Sequence, residues 1–163
     1  MNFQHLLPPH FFHWCQNTWI ARQQNESLWA FATIETIHIL GLTTLLAALM
    51  LVDFRLLGFG LRRQTVAQIS KEVEPLTVSA LITMVITGIA MFLAEAERLA
   101  LSTPFFFKIL FLIVALALHF TIHRRAIATE MPERLPITRI SACLSLVCWF
   151  GIAVAGRAIA FVR

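Results

Sequence analysis

Five ionisable residues stand inside stretches that are otherwise almost free of charge: Glu35, His38, Lys108, His119 and Arg157. Such groups are expensive in apolar surroundings and mark functional sites there. Glu35 and His38 are three apart and share a helix face, which Gly41 continues. With Trp29 at the outer interface, Glu35 lies about 9 Å deep and His38 about 13 Å deep. Lys108 lies about 5 Å below Pro104–Phe105, and Arg157 about 6 Å below the end of its stretch. Two cations, a carboxylate and an imidazole therefore gather in one half of the molecule. Their chemistry is ion pairing, carboxylate binding and metal ligation or proton carriage by histidine. His119 lies about 20 Å from the same surface, an offset of about 7 Å from His38 that helix tilt closes in part. Two histidines on separate helices suit a b-type haem, and equally a proton relay. His123, four residues after His119, sits beside Arg124-Arg125 at the interface. Structural roles compete for the charged groups: Lys108 and Arg157 can snorkel to headgroups, and Glu35 can pair with Arg157.

The elements that must position these residues follow from composition. The chain has 163 residues, 58% of them hydrophobic and 13% charged. Its mean hydropathy is +0.76. A soluble globule needs more charged surface than 22 such residues supply. Disorder, collagen-like and disulfide-stapled classes are excluded by the same composition. A spanning helix needs about 20 apolar residues. Four segments qualify, at about 28–52, 76–94, 104–122 and 140–161. The expectation is an all-α integral membrane four-helix bundle over 28–163. Ser27, Thr77 and Thr138 stand where N-caps are wanted, and Pro75 and Pro104 at helix starts. The alternating pattern of a membrane β-barrel is missing.

Eight of the thirteen basic residues fall in two loops: Arg55, Arg62, Arg63 and Lys71, then Arg124, Arg125, Arg134 and Arg139. The turn between the second and third segments carries Glu95 and Glu97 against Arg98. The positive-inside rule puts the basic loops in the cytoplasm and both termini outside. The pI near 9.6 thus reports orientation and not nucleic acid. Residues 1–27 lack the build of a cleavable signal peptide. Past Pro8-Pro9, a helical reading turns Phe11, Phe12, Trp14, Cys15 and Trp19 toward one side, as in an amphipathic helix lying in the headgroup layer. His5, His10, His13 and Cys15 match no metal-site spacing. Cys143 and Cys148 read as packing residues, and Asn25-Glu26-Ser27 carries no weight as a sequon in a chain of bacterial character. Ser79, Thr83, Thr87 and Gly88 on the second span, and Ser141, Ser145 and Cys148 on the fourth, read as close-packing faces. Phe105, Phe106, Phe107, Phe111, Phe120 and Trp149 read first as filler facing lipid, with the lining of a porphyrin or quinone pocket as the alternative.

Three local patterns carry a resemblance. They are His38 with Arg55 in Asp53-Phe54-Arg55-Leu56-Leu57-Gly58, Lys108 with His119 and Arg124-Arg125, and Gly156-Arg157. With Glu35-x-x-His38-x-x-Gly41 they resemble an uncharacterised bacterial family of four-helix membrane proteins. That family is distantly similar to HemJ-type protoporphyrinogen oxidases and CopD-like membrane domains. The likeness covers the four spans and not residues 1–27. It implies haem b, with His38 an axial ligand and Lys108 a functional residue. Glu35 stands where the HemJ type has a basic residue, and the Leu-Pro-Arg turn of that type lacks its Pro here. These departures bear on protoporphyrinogen oxidation more than on haem.

The expected function is a bacterial inner-membrane haem-b protein in a redox or electron-transfer role. It would be an oxidoreductase or a subunit of one, facing a periplasmic partner or a quinone, with a homo-oligomer or larger complex open. His38 and His119 would ligate iron, Lys108 and Arg157 would hold the propionates, and Glu35 would tune the site through His38 or Arg157. The competing readings are a CopD-like copper- or ion-handling protein and a cofactor-free structural subunit. The scarcity of Met clusters and intramembrane Cys pairs argues against copper.

Overall fold

The computed structural model describes residues 8–27, 29–60, 64–119, 136–159 and 161. His5, Arg62, Arg63, Phe120, His123, Arg124, Arg125 and Arg134 lie outside the described residues. Among those described the chain is all-helical: α1 (Pro9–Gln16), α2 (Trp19–Glu26), α3 (Ala30–Leu56), α4 (Val66–Ala94), α5 (Ala96–Leu101), α6 (Thr103–Leu118) and α7 (Pro136–Ile159). Three of these, α3, α4 and α7, are long and apolar enough to cross a membrane. The fourth apolar helix, α6, has 16 residues, about 24 Å of helix against a hydrocarbon core of about 30 Å.

The second long helix starts ten residues before the expected 76. Thr65 is its N-cap, in a capping box where Thr65 Oγ1 accepts from Gln68 N–H (3.2 Å) and Gln68 Oε1 accepts from Thr65 N–H (2.9 Å). The reciprocal cap outweighs Pro75, which sits inside α4 and not at its start. Thr77 consequently bonds back to the Val73 carbonyl (2.9 Å) instead of capping. Thr138 also falls inside a helix, buried in α7. Ser102 caps α6 through Phe105 N–H (3.3 Å), with Pro104 in the first turn where its missing N–H is harmless.

The helices associate in two close pairs, α3 with α4 and α6 with α7, joined mainly through α3 and α7. Small residues set the spacing. A Cβ on Gly41 would sit 3.3 Å from Thr83 Cγ2, and one on Gly151 would sit 3.0 Å from two ring carbons of Phe111. Leu45, Leu49, Ala80, Ala115, Cys148, Trp149 and Ile152 form the central core. At one end Val52, Leu56, Ile69 and Ala142 close the bundle. Beside them Asp53 is fully buried near Ser145, and Arg55 Nε donates to the Gln64 carbonyl (2.9 Å). That bond ties the α3–α4 turn, where Gly58 (φ 85°) and Gly60 (φ 68°) take the left-handed conformation. The outward faces carry Ile82, Ile86, Ile89, Ile113, Val147, Phe150 and Val154, a surface matched to lipid.

The N-terminal segment differs from a single helix with one lipid face. It is two short helices broken at Asn17–Thr18, and they dock on the opposite end of the bundle, called here the cap end. Phe12 and Cys15 turn inward and pack with Ala96 and Ala100 of α5, beside Phe92 and Leu93. Burial pushes the Cys15 thiol above its ordinary pKa. Trp14 (65% exposed), Trp19 (76%) and Trp29 (80%) stay on the outside of the same end.

Candidate functional site

His38 is carried by α3 into the space between α4 and α6, on the half of the bundle nearer the cap. Its ring is buried. Its Nδ1 lies 2.8 Å from Thr87 Oγ1 on α4, and its Nε2 lies 3.4 Å from Lys108 Nζ on α6. Three helices thus meet at one imidazole. The close approach of α4 depends on Gly88, where a Cβ would stand 3.3 Å from His38 Cε1.

The hydrogen bonds give the ring a definite tautomer. Thr87 Oγ1 donates its single proton to the Thr83 carbonyl, at 2.6 Å. It can only accept from His38, so Nδ1 carries the hydrogen. In the neutral ring Nε2 is then the bare nitrogen, and its lone pair faces Lys108. An imidazole with one N–H held by a protein oxygen and the other nitrogen free is the usual form of a metal-ligating histidine. The same nitrogen can take a proton from the Lys108 ammonium.

Lys108 reaches this point across the line between the two helix pairs. Its Nζ and Cε pass 3.7 and 3.8 Å from the position a Cβ on Gly156 would take. Lys108 thus packs beside Gly156 at ordinary contact distance. Nearer the cap, Phe92 of α4 and Phe105 of α6 stack at 5.7 Å with 15° between planes.

Of the residues singled out in the sequence, His38 and Lys108 are therefore brought together. Glu35 lies one turn nearer the cap and is half-buried. Among the described residues it forms no ion pair with Lys108 or Arg157. Arg157 is exposed, with its guanidinium 4.9 Å above the Phe161 ring. His119 is the C-cap of α6, eleven residues or about 16 Å along the axis from Lys108. Thr87 belongs to the site although its place in the Ser79–Thr83–Thr87 series suggested packing alone. The signal available was its position next to Gly88, a polar group beside a gap. Among the described residues no group of three or more His, Cys, Asp or Glu side chains is placed to hold a metal ion.

No curated protein and no solved structure matches this chain. A family does, over residues 11–162, which takes in both N-terminal helices and the whole bundle. The chain with this three-helix histidine site belongs to a family of unknown function, DUF6644.

Proposed function

We propose that the protein is a four-span membrane protein that binds haem b through His38 and serves a redox or electron-transfer role. The observation carrying this reading is the ordered hydrogen-bond chain from His38 Nδ1 through Thr87 to the Thr83 carbonyl. It leaves an oriented Nε2 lone pair in a buried site, facing the Lys108 amine, and an imidazole nitrogen is the donor that haem iron takes from a protein. Haem, when bound, supplies a one-electron couple at its iron. A fixed imidazole with a cation beside it, and Gly88 where a side chain would crowd the ring, support this reading.

Each residue has a definite task in this reading. Thr87 holds the ring orientation and tautomer. Lys108 would hold a carboxylate of the cofactor, which needs a cation in low dielectric. His38 would ligate the iron, and His119, far along α6, is left as the candidate for a second role. Arg157, at the surface of the cap end, adds positive charge for propionates or headgroups. Glu35 acts on the site electrostatically from one turn away. The two basic loops place the cap end outside a bacterial inner membrane. Electron exchange with a periplasmic partner or with quinone would then run through that side.

Purified protein with stoichiometric haem gives Soret and alpha bands in the reduced-minus-oxidised spectrum. His38→Ala loses them, and Lys108→Ala retains iron ligation while weakening retention of the cofactor. A folded sample without these bands after haem reconstitution overturns the reading.

A further inference from the structure

The two N-terminal helices dock on α3, α4 and α5 at the cap end of the bundle, the end nearer the histidine site. On α2, Gln24 is only 3% exposed. Its Nε2 donates to the Ala90 carbonyl of α4 at 3.0 Å and to the Ile20 carbonyl at 3.2 Å. Ala90 is three residues, about 4.5 Å, nearer the cap than Thr87, the partner of His38. Asn25 Nδ2 donates to the Ala94 carbonyl, at 3.2 Å. The Asn25 bond satisfies one of the last four carbonyls of α4, which lack an intrahelical partner, and the Gln24 bond adds a second donor to a carbonyl one turn further in. Ala21, beside Gln24 on the same face, is completely buried. On α1, Phe12 and Cys15 sit in the cluster with Ala96 and Ala100, and Phe92 of that neighbourhood also stacks on Phe105. The cap therefore touches the aromatic bridge between α4 and α6.

We propose that the α1–α2 hairpin is a hinged closure over the His38–Lys108 site, with Gln24 as its latch, and that it controls access of water and polar solutes from the cap end. The latch is built to open. Gln24 Oε1 is buried with no hydrogen-bond partner among the described residues. Opening hydrates that oxygen and returns part of what the lost bonds cost. The apolar dock of α1 is Phe12 and Cys15 against Ala96 and Ala100, with Phe92 and Leu93 beside them, a unit separate from the central core that can open while the long helices stay folded. Trp14 and Trp19 on its outer face hold the hairpin at the membrane–water boundary, where it can lift without entering water completely. The inference rests on His38 as the ligand-bearing residue, and is independent of which cofactor occupies it.

The test uses the full-length, cofactor-free protein in nanodiscs and follows modification of each histidine by diethyl pyrocarbonate with mass spectrometry. The reagent attacks a bare ring nitrogen, and exposed His13 on α1 is the internal standard. His38 is slow in the wild type. The double variant Gln24→Ala, Asn25→Ala speeds His38 about tenfold or more relative to His13, as expected for loss of two hydrogen bonds holding the closure. In the second variant, Ala96→Cys is oxidised to a disulfide with Cys15. It slows His38 below the wild-type rate, and reduction restores the rate. This arm leaves the Gln24 and Asn25 hydrogen bonds in place, so it decides the matter if the double variant loses helix content. Equal His38 rates with the disulfide formed and reduced would overturn the closure, as would failure of the disulfide to form. A haem spectrum that depends on His38 together with unchanged labelling would leave the cofactor reading standing and remove this one.

Discussion

Thr87 decides the chemistry of His38 more than any charged neighbour does. Its proton is committed to the Thr83 carbonyl, so its oxygen accepts from Nδ1 and the lone pair falls on Nε2. Thr87→Val preserves shape and removes the acceptor. A buried ring N–H is then left unpaired, at a cost of about 1–3 kcal/mol. The expected result is a lower thermal midpoint and, in nitrogen-15 spectra of the imidazole, loss of the single tautomer. Thr87→Ser retains the hydroxyl and restores both. Unchanged tautomer signals in Thr87→Val would show that the ring is oriented by Lys108 alone. His38, Lys108 and Glu35 were visible in the sequence because charge is rare in apolar stretches. Thr87 was not, because a hydroxyl in a membrane helix usually bonds to its own backbone and Thr87 does that as well.

At the scale of elements, the two helix pairs owe their closeness to glycines. Gly151 is the tightest point, since an added Cβ would meet the Phe111 ring at 3.0 Å. Gly151→Val forces the ring or the helix to move and costs about 1–3 kcal/mol through overpacking. Thermal unfolding in detergent should show the loss. Phe111→Leu should recover part of it by shrinking the opposing ring, and additive losses in the double variant would deny the contact. The helix pattern itself was legible: three long apolar helices and a shorter one overlap the four expected stretches. The start of α4 was not. Pro75 and Thr77 looked like a helix start by local rules, and the reciprocal Thr65–Gln68 cap ten residues earlier prevailed. The N-terminal segment shows the same limit. Amphipathicity reveals that a short helix has two faces, and only packing reveals that Phe12 and Cys15 face α5 while Trp14 faces outward.

For the whole molecule, the proposed orientation makes the cap end and both termini extracytoplasmic. Alkaline phosphatase fused after Arg163 should be active in a bacterial host, since that enzyme matures only outside the cytoplasm, whereas a fusion in the loop after α3 should be inactive. The reverse result would turn the molecule over and place the histidine site on the cytoplasmic side. The argument comes from the uneven distribution of Lys and Arg, a one-dimensional property that folding does not alter.

The sequence by itself determined the solvent of this protein, the stretches that become membrane-length helices and the few residues able to do chemistry there. Those follow from composition and spacing, since lipid admits only helices in such a chain and penalises each stray charge. Which charges meet was decided by the tertiary structure alone. Helix rotation and pairing bring Lys108 to His38 and Thr87 to its other nitrogen, and among the described residues leave Glu35 in no ion pair with Lys108 or Arg157. The same packing docks the N-terminal hairpin on the cap end, because contacts between distant segments depend on which faces the helices present to each other, and no local pattern records that choice.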